Sequence, residues 1–443
     1  MSAPDFHAAE VSATVRAGWQ VLSPARREVV LAVARRLAEA GYRAWLVGGA
    51  VRDLVMGRPA GDLDMVSAAP PAVGRSLFPG ALEVGEHFGI LLVRAGEESV
   101  ELATFRLDGA YADGRHPDAV RYTDSLEEDA ARRDFTCNAL YLDPTTFECM
   151  DPTGGLAHIA AGELHAVGEA SRRFAEDGLR LLRVPRFLAR FGWRPAPGLI
   201  GAMRASRASL RGVSAERFAG EMALMAGGPG PLHALEILAE AGLWDRAFSA
   251  GHDHGEGPSA ATLAVARARC AAGGIDLADW YCFGLEEDWG AVEPLDAKAL
   301  DRRLRRLTVP RAVMHSVAAR LHARRQFEQA AVHGDRAAWI RLCRDADGRS
   351  GLFLARARRL AMGIDAAELE ALWAKFESLP PSLIHPAHLP GGNDWQALGV
   401  PAGPPLGRWM RAVEDLVLRG DVGYGDAVDW RRVLEQHGAG FFG

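Results

Sequence analysis

Asp62 and Asp64 stand two apart in "DLDMVS", and on a strand that spacing turns both carboxylates to one face. Side by side they repel each other unless a divalent cation lies between them, and hard oxygen ligands suit Mg²⁺. An ion held there can bind triphosphate oxygens and lower the pKa of an attacking hydroxyl. Glu101, in "SVELATFR", is a candidate third carboxylate. The Asp-x-Asp spacing alone is also that of the polar face of an edge strand. Gly48 and Gly49 come shortly before, ending one strand ahead of a helix, where bare backbone N–H groups and the helix dipole favour a phosphate. Arg52 falls on the first turn of that helix and can clamp phosphate oxygens with two parallel bonds. A lone Gly-Gly is a tight turn. Within the span Trp45–Ser67 the combination reads as one phosphate grip beside one metal grip.

Two later segments repeat the theme. In "EEDAARRDFTCNALYLD" (127–143), Arg132, Arg133 and Asp134 can bind phosphate and a ribose hydroxyl, although R-R-D by itself is a common surface ion-pair cluster. In "RFAEDGLRLLRVPRFLARFGW" (173–193), Asp177 and Arg180 are three apart and share a face if the segment is one helix. An ionised Asp only accepts hydrogen bonds and an Arg only donates them. Cytosine and adenine each offer an amine donor beside a ring-nitrogen acceptor; guanine and uracil offer the reverse. Such a pair admits C and A and rejects G and U, because buried mismatches discriminate strongly. Glu176, four before Arg180, can hold its guanidinium. An exposed i,i+3 salt bridge is the commoner use of these residue types.

The elements that must carry these groups can be read from periodicity. "SPARREVVLAVARRLAEAG" (23–41) predicts a capped amphipathic helix, with Ser23 before Pro24 and Gly41 to stop it. "RAWLVGG" predicts a buried strand, "AVRDLVM" one or two helical turns, and "DLDMVS" a second strand. Residues 90–96 and 99–106 predict a hairpin joined by "GEE". From roughly 155 the pattern is helical, with Gly/Pro breaks near 195–198, 227–231 and 251–258. Pro185 is expected to kink its helix and blur the placement of Arg186.

"LVGGAVRDLVMGRPAGDLDM" resembles motif A of the class II tRNA nucleotidyltransferases and bacterial poly(A) polymerases, within the polymerase-β-like nucleotidyltransferase superfamily. Residues 127–143 resemble the family's motif B, with Arg132, Arg133, Asp134, Phe135, Thr136, Asn138 and Ala139 in place. Residues 173–193 resemble its motif D, E-D-x-x-R, as Glu176, Asp177 and Arg180, followed by Arg183 and Arg186. The sequence departs from the pattern at His158, where the family usually has an acid, and at Gly178 and Pro185. The resemblance is strong over about 45–190 and weaker to about 245.

It implies an α+β fold: a polymerase-β-like head of small mixed sheet and helices over 1–150, carrying motifs A and B. An all-helical neck with the nucleotide-selecting motif would follow over 151–250, then a helical, RNA-binding body and tail over 251–443. It also implies metal-dependent, template-independent addition of C, C and A to the tRNA 3′ end from CTP and ATP. Asp62 and Asp64 would then be the Mg²⁺ ligands, assisted by Glu101. Gly48, Gly49, Arg52, Arg132, Arg133, Asp134, Asn138, Glu176, Asp177, Arg180, Arg183 and Arg186 would bind the nucleotide. A poly(A) polymerase, or an enzyme adding only C's or only the final A, shares these motifs. The loop 107–129 is full length, which disfavours a C-only enzyme.

Composition bounds the remaining readings. At 443 residues and 49% hydrophobic content, the chain is expected to be a soluble protein of several domains. It has neither a leader pattern nor an apolar run long enough to span a bilayer. Five scattered cysteines without a C-x-x-C suggest no zinc site and a reduced cytoplasm. With only Lys298 and Lys375, there is no P-loop. The net charge of −6 hides two basic blocks: eleven arginines against three acids over 171–217, and eight against Asp301 over 301–325. Both are candidate faces for RNA backbone. "GHDHG" (251–255) is expected to be a solvent loop rather than a metal site.

Overall fold

The structure is a computed structural model. It describes residues 8–84, 89–108, 120–248, 258, 260–285, 297–329, 334–386, 389–423 and 427–439. "GHDHG" and residues 109–119 of the 107–129 loop lie outside them. The chain divides into two compact units, one built on residues up to Ala247 and the other on residues from Pro258 onward.

The first unit opens with two helices, α1 (Ala8–Val21) and α2 (Pro24–Glu39). Ser23 caps α2 by accepting from the Arg26 N–H at 3.2 Å, and Pro24 takes the first helical position, as the sequence predicts. Val29, Val30, Val33, Ala34 and Leu37 form the buried stripe of α2. That stripe packs on a seven-stranded sheet of β1 (Ala44–Val47), β2 (Asp64–Ser67), β3 (Leu82–Val84), β4 (Ile90–Ala95), β5 (Glu98–Thr104), β8 (Tyr141–Leu142) and β9 (Cys149–Met150), in the order β3-β4-β5-β2-β1-β8-β9. Only β2 and β5 run parallel, so the sheet is mixed. A separate hairpin pairs β6 (Arg106–Asp108) with β7 (Val120–Tyr122). Trp45, Val47, Val66 and Tyr141 point to a second buried layer with Phe105, Ala130 and Val167.

Two boundaries differ from expectation. The hairpin turn is two residues, since Ala95 pairs with Glu98, and Gly96 supplies the positive φ it needs (65°). The second strand begins at Asp64, leaving Asp62 on the bend before it.

Short helices α3 (Gly49–Val55), α4 (Pro71–Leu77) and α5 (Leu126–Ala131) complete the head. Beyond it the first unit is helical: α6 (Gly155–Ala161), α7 (Ala170–Glu176), α8 (Arg180–Phe191), α9 (Leu199–Ala205), α10 (Ala215–Ala226) and α11 (Pro231–Glu240). One addition is a two-residue parallel ladder, β10 (Glu163–Leu164) with β11 (Arg194–Pro195). α8 runs continuously through Pro185, which is buried, so the helix is not interrupted before Arg186.

In the second unit the described residues form helices without strands. Ala323, Phe327, Trp339, Ile340, Leu352, Leu369 and Phe376 belong to one hydrophobic core in it. Trp395, Trp409 and Val413 build another nearer the C-terminus. No helix among the described residues is long and apolar enough to cross a membrane.

Candidate active site

The turn from β1 into α3 brings backbone close to a carboxylate. Gly48 has φ 72° and ψ −136°, a conformation that effectively requires glycine. A Cβ there would stand 3.9 Å from both Asp64 Oδ2 and Arg133 Nη1, so the turn is flanked by one carboxylate and one guanidinium. Parallel pairing sets Asp64 directly beside Glu101 across β2 and β5. Burial, then the charges of Glu101 and Asp62, push the Asp64 carboxyl up to about 6; Arg133 only partly offsets them. Asp62 and Glu101 are themselves exposed.

Crowded carboxylates with a half-buried member are what a cation relieves, and an all-oxygen donor set suits Mg²⁺. Among the described residues no group of three or more His, Cys, Asp or Glu is drawn together tightly enough to enclose a metal.

Arg52 departs from expectation. It is 3% exposed, and its Nε and Nη2 bind Asp53 at 2.9 and 2.8 Å while Nη1 donates to Asn138 Oδ1 at 2.6 Å. Phe187 and Phe191 lie against the guanidinium, 5.2 and 4.8 Å away. The residue is committed to protein partners, and Asp53 takes Arg190 as a second cation at 3.3 Å. In this structure it is a strut within the site rather than an open phosphate clamp.

Motif B is organised from below by Asp129, fully buried on α5. Its Oδ1 takes Arg132 Nε and Nη2 at 2.9 and 2.7 Å. Its Oδ2 takes Arg133 Nη2 at 2.9 Å and the Tyr141 hydroxyl at 2.8 Å. Burial alone would raise this carboxyl; Arg133, Arg132 and Tyr141 outweigh it and hold it at about 2. Arg132 is thereby turned toward Asp129. Arg133, which also donates from Nε to Tyr141 at 3.0 Å, stays beside Gly48.

Asp134 closes a chain of alternating donors and acceptors. Its Oδ1 accepts from Asn138 Nδ2 at 3.0 Å and from the Phe135 N–H at 2.7 Å, and Arg183 Nη2 pairs with Oδ2 at 2.8 Å. Arg52, Asn138, Asp134 and Arg183 thus link α3, motif B and α8.

The segment around Asp177 and Arg180 is the main correction. Glu176 ends α7, Arg180 begins α8, and Asp177 between them is extended (φ −142°, ψ 107°), so Asp177 and Arg180 do not share one helix face. The cause is Gly178: a Cβ there would come within 2.1 Å of the Ser209 carbonyl oxygen, so the chain bends to meet a distant backbone. Asp177 Oδ1 accepts from the Leu179 N–H at 3.0 Å, and both oxygens meet Arg217, at 3.4 Å from Nη1 and 2.8 Å from Nη2. Arg180 is held by Glu176 as expected (Nη1 to Oε2, 2.9 Å) and by the carbonyls of Arg173 and Arg132 at 3.0 and 2.9 Å. Arg186 pairs with buried Glu221 at 3.1 Å. His158 stacks on His165 with ring centroids 3.7 Å apart and reaches Thr136 Oγ1 at 2.9 Å.

Sequence reading passed over Asp53, Asp129, Arg173, Arg217 and Glu221. Asp129 had a local signal, standing three and four before Arg132 and Arg133. Arg217 had none, because its partner lies 40 residues earlier.

Comparison with known proteins points to one family. A family model for the poly A polymerase head domain matches residues 44–165. The CCA-adding enzyme of Geobacillus stearothermophilus is 41% identical over 213 residues, 48% of this chain and 52% of that enzyme. That of Streptococcus pneumoniae (serotype 19F, strain G54) is 40% identical over 194 residues, 44% and 48% of the two chains. The chain spans about half the length of these curated relatives. The Thermotoga maritima CCA-adding enzyme complexed with tRNA has a similar fold, at TM-score 0.70 and 16% identity, covering 96% of this chain and 97% of that one. The crystal structure of the Bacillus stearothermophilus CCA-adding enzyme in complex with CTP matches at TM-score 0.62 and 30% identity, over 94% of this chain and 98% of that one. On that match, supported by the head-domain model over motifs A and B, the chain belongs to the family of the CCA-adding enzymes.

Proposed function

We propose that this protein adds C, C and A to the 3′ end of tRNA from CTP and ATP, without a nucleic-acid template and with release of pyrophosphate. The observation that carries the reading is the crowded carboxylate group, Asp64 with Asp62 and Glu101, set against Gly48 and Arg133. Nucleotidyltransferases of this family are metal-dependent. Asp62 and Asp64 would hold Mg²⁺, with Glu101 assisting. Bound there, the ion would supply a Lewis acid for the triphosphate and a lower pKa for the RNA 3′-hydroxyl.

The chain's own residues do the positioning, which is most of phosphoryl-transfer catalysis. Arg133 faces the phosphates across the Gly48 turn. Gly49 and Arg132 belong to the same nucleotide-binding wall, and Arg52 fixes it through Asn138. Asp134 and Asn138, braced by Arg183, take the sugar region; Arg186 closes that wall through Glu221. Asp177 and Arg180 read the base. Of Arg180's five N–H donors, Nη1 uses two on Arg173 and Glu176 and Nη2 one on Arg132, which leaves Nε–H and one Nη2 N–H among the described residues. Asp177, with three donors already on its oxygens, keeps one acceptor site. One acceptor with two donors complements the pairing edge of cytosine, and adenine matches its amine and ring nitrogen.

In this reading, residues 1–150 are the catalytic head, 151–250 the selecting neck and 251–443 the RNA-binding body and tail. The five free cysteines suit a reducing cytoplasm.

The test is Mg²⁺ with labelled CTP or ATP and tRNAs lacking the whole CCA end, lacking only the terminal A, or complete. Two C's and one A followed by arrest is the expected result. Long A tails would replace it with a poly(A) polymerase. Incorporation of neither nucleotide would leave only an RNA-binding protein.

A further inference from the structure

An arginine has five N–H groups to donate, and Arg133 has three of them placed. Its Nε–H goes to the Tyr141 hydroxyl at 3.0 Å, an Nη2 N–H to Asp129 Oδ2 at 2.9 Å and an Nη1 N–H to the Asn138 carbonyl at 3.5 Å. Among the described residues one N–H is left on each terminal nitrogen. Nη1 is the nitrogen beside Gly48, 3.9 Å from where a Cβ there would stand. Two donors side by side on a rigid plane are the pattern that takes two oxygens of one phosphate group.

The phenol of Tyr141 is what keeps that edge outward. The neighbouring arginine shows the alternative, since Asp129 Oδ1 draws both Nε and Nη2 of Arg132, at 2.9 and 2.7 Å. Tyr141 denies Arg133 the same arrangement at Oδ2. Its hydroxyl gives Oδ2 a proton of its own at 2.8 Å and offers the Arg133 Nε–H an oxygen instead. Burial pushes the phenol well above its usual range, against the pull of Arg133, so that proton stays in place. The ring is fixed as well. Tyr141 is fully buried on β8, registered opposite Val47 of β1 and packed edge-on against Phe105 with centroids 6.2 Å apart. Val47 immediately precedes Gly48, so sheet pairing sets the phenol relative to the turn that Arg133 flanks.

We propose that Tyr141 is a positioning residue for the nucleotide's triphosphate: by taking the Nε–H of Arg133 it aims the two terminal N–H groups at one phosphate group beside Gly48. The inference rests on the nucleotide-adding reading above and adds to it the residue that sets the angle of the phosphate-binding arginine.

The test uses the full chain, Mg²⁺ and tRNA lacking its CCA end. It measures kcat and KM for CTP and the inhibition constant of inorganic tripolyphosphate, which carries the phosphates without a base. Tyr141→Phe keeps the ring and removes only the hydroxyl, which frees Arg133 to turn its Nε edge onto Asp129. KM for CTP and the tripolyphosphate inhibition constant should both rise roughly tenfold, the scale of one charge-assisted hydrogen bond. The kcat value should change by no more than about threefold, since the loss falls on binding that substrate and transition state share. Preference for CTP over UTP should stay at the wild-type value, because the base is read by other residues. A phenol that serves only the fold would lower melting temperature or kcat and leave tripolyphosphate inhibition alone; that outcome overturns the proposal. Should Tyr141→Phe fail to fold, a crystal structure of the wild type with CTP decides alone. Both terminal nitrogens on one phosphate group, with Nε still on the phenol, supports the aim; any other arrangement removes it. A wild-type protein that incorporates no nucleotide would bring down the nucleotide-adding reading and this inference together. An active wild type with an indifferent Tyr141 would bring down only the inference.

Discussion

Each unit sets acidic side chains near one another, and the two units compensate them to different degrees. In the second unit Asp276, Asp279 and Asp347 converge on Arg320, whose guanidinium reaches them at 2.6, 2.7 and 2.7 Å. Arg269 adds a second cation to Asp279 at 2.8 Å. Burial would raise Asp276, but its bonds from Arg320 and the Asp279 N–H hold it below the usual carboxylate range. In the head, among the described residues, only the charge of Arg133 offsets the crowding of Asp64 by Glu101 and Asp62, and Asp64 is pushed up to about 6. A buried cluster that carries its own counter-ion is finished by folding and holds a structure together. A cluster that lacks one is finished only by a ligand. The contrast separates a structural knot from the proposed site.

The comparison breaks if the head carboxylates can be removed without consequence. Asp62→Ala and Asp64→Ala should each lower nucleotide incorporation at least about 10³-fold, read in single-turnover assays, while the circular dichroism spectrum is kept. Chelating divalent cations from the wild type should do the same.

The opposite knot is tested by Arg320→Met. Leaving Asp279 buried and unpaired should destabilise the second unit by about 3–5 kcal/mol, toward the low end because Asp276 is half exposed. Urea unfolding reads this directly. An unchanged midpoint would show that the three aspartates do not need their arginine.

A pH series sharpens the difference. The folded-state Asp64 carboxyl lies near 6, above its ordinary value of 3.8, so the protonated form is favoured in the native state. Its contribution to stability is complete below about pH 4 and is lost as pH rises through 6, amounting to about 3 kcal/mol. In metal-free buffer, Asp64→Asn should remove that loss, so the variant gains on the wild type between pH 4 and 7 in thermal melts. Mg²⁺ at pH 7 should narrow the gap by stabilising the wild type alone. A difference that does not vary with pH would mean that Asp64 is not strained by its neighbours.

The smallest effect belongs to the turn. Gly48→Ala at φ 72° should cost about 1–2 kcal/mol of stability by backbone strain. It should also raise KM for the nucleotide, because the added methyl would enter the space between Asp64 and Arg133.

Much of the head was legible in sequence because its signals are local. Ser23-Pro24 marks a helix start, and alternation marks β4 and β5. Glycine at 48 is demanded by its own φ. Asp62 and Asp64 lie close enough to act on each other electrostatically, although the strand starts only at the second of them. Where the reading failed, the deciding contact was distant. Asp177 and Arg180 share a face only on an unbroken helix, and the helix is broken by a carbonyl 31 positions beyond Gly178. Arg52 looked like an open clamp because nothing nearby in sequence announces Asn138, Phe187 or Phe191 as its partners.

The sequence by itself determined which ionisable groups exist and, through spacing of two to four residues, which of them face the same way along one element. Those relations follow from the repeat of a strand or a helix turn. Only the tertiary structure decided which cation each acid receives: Arg217 for Asp177, Arg320 for Asp279, and for Asp64, among the described residues, the partial offset of Arg133. Pairings of that kind form where separate elements pack, and packing is set by the whole buried surface rather than by any short run of residues.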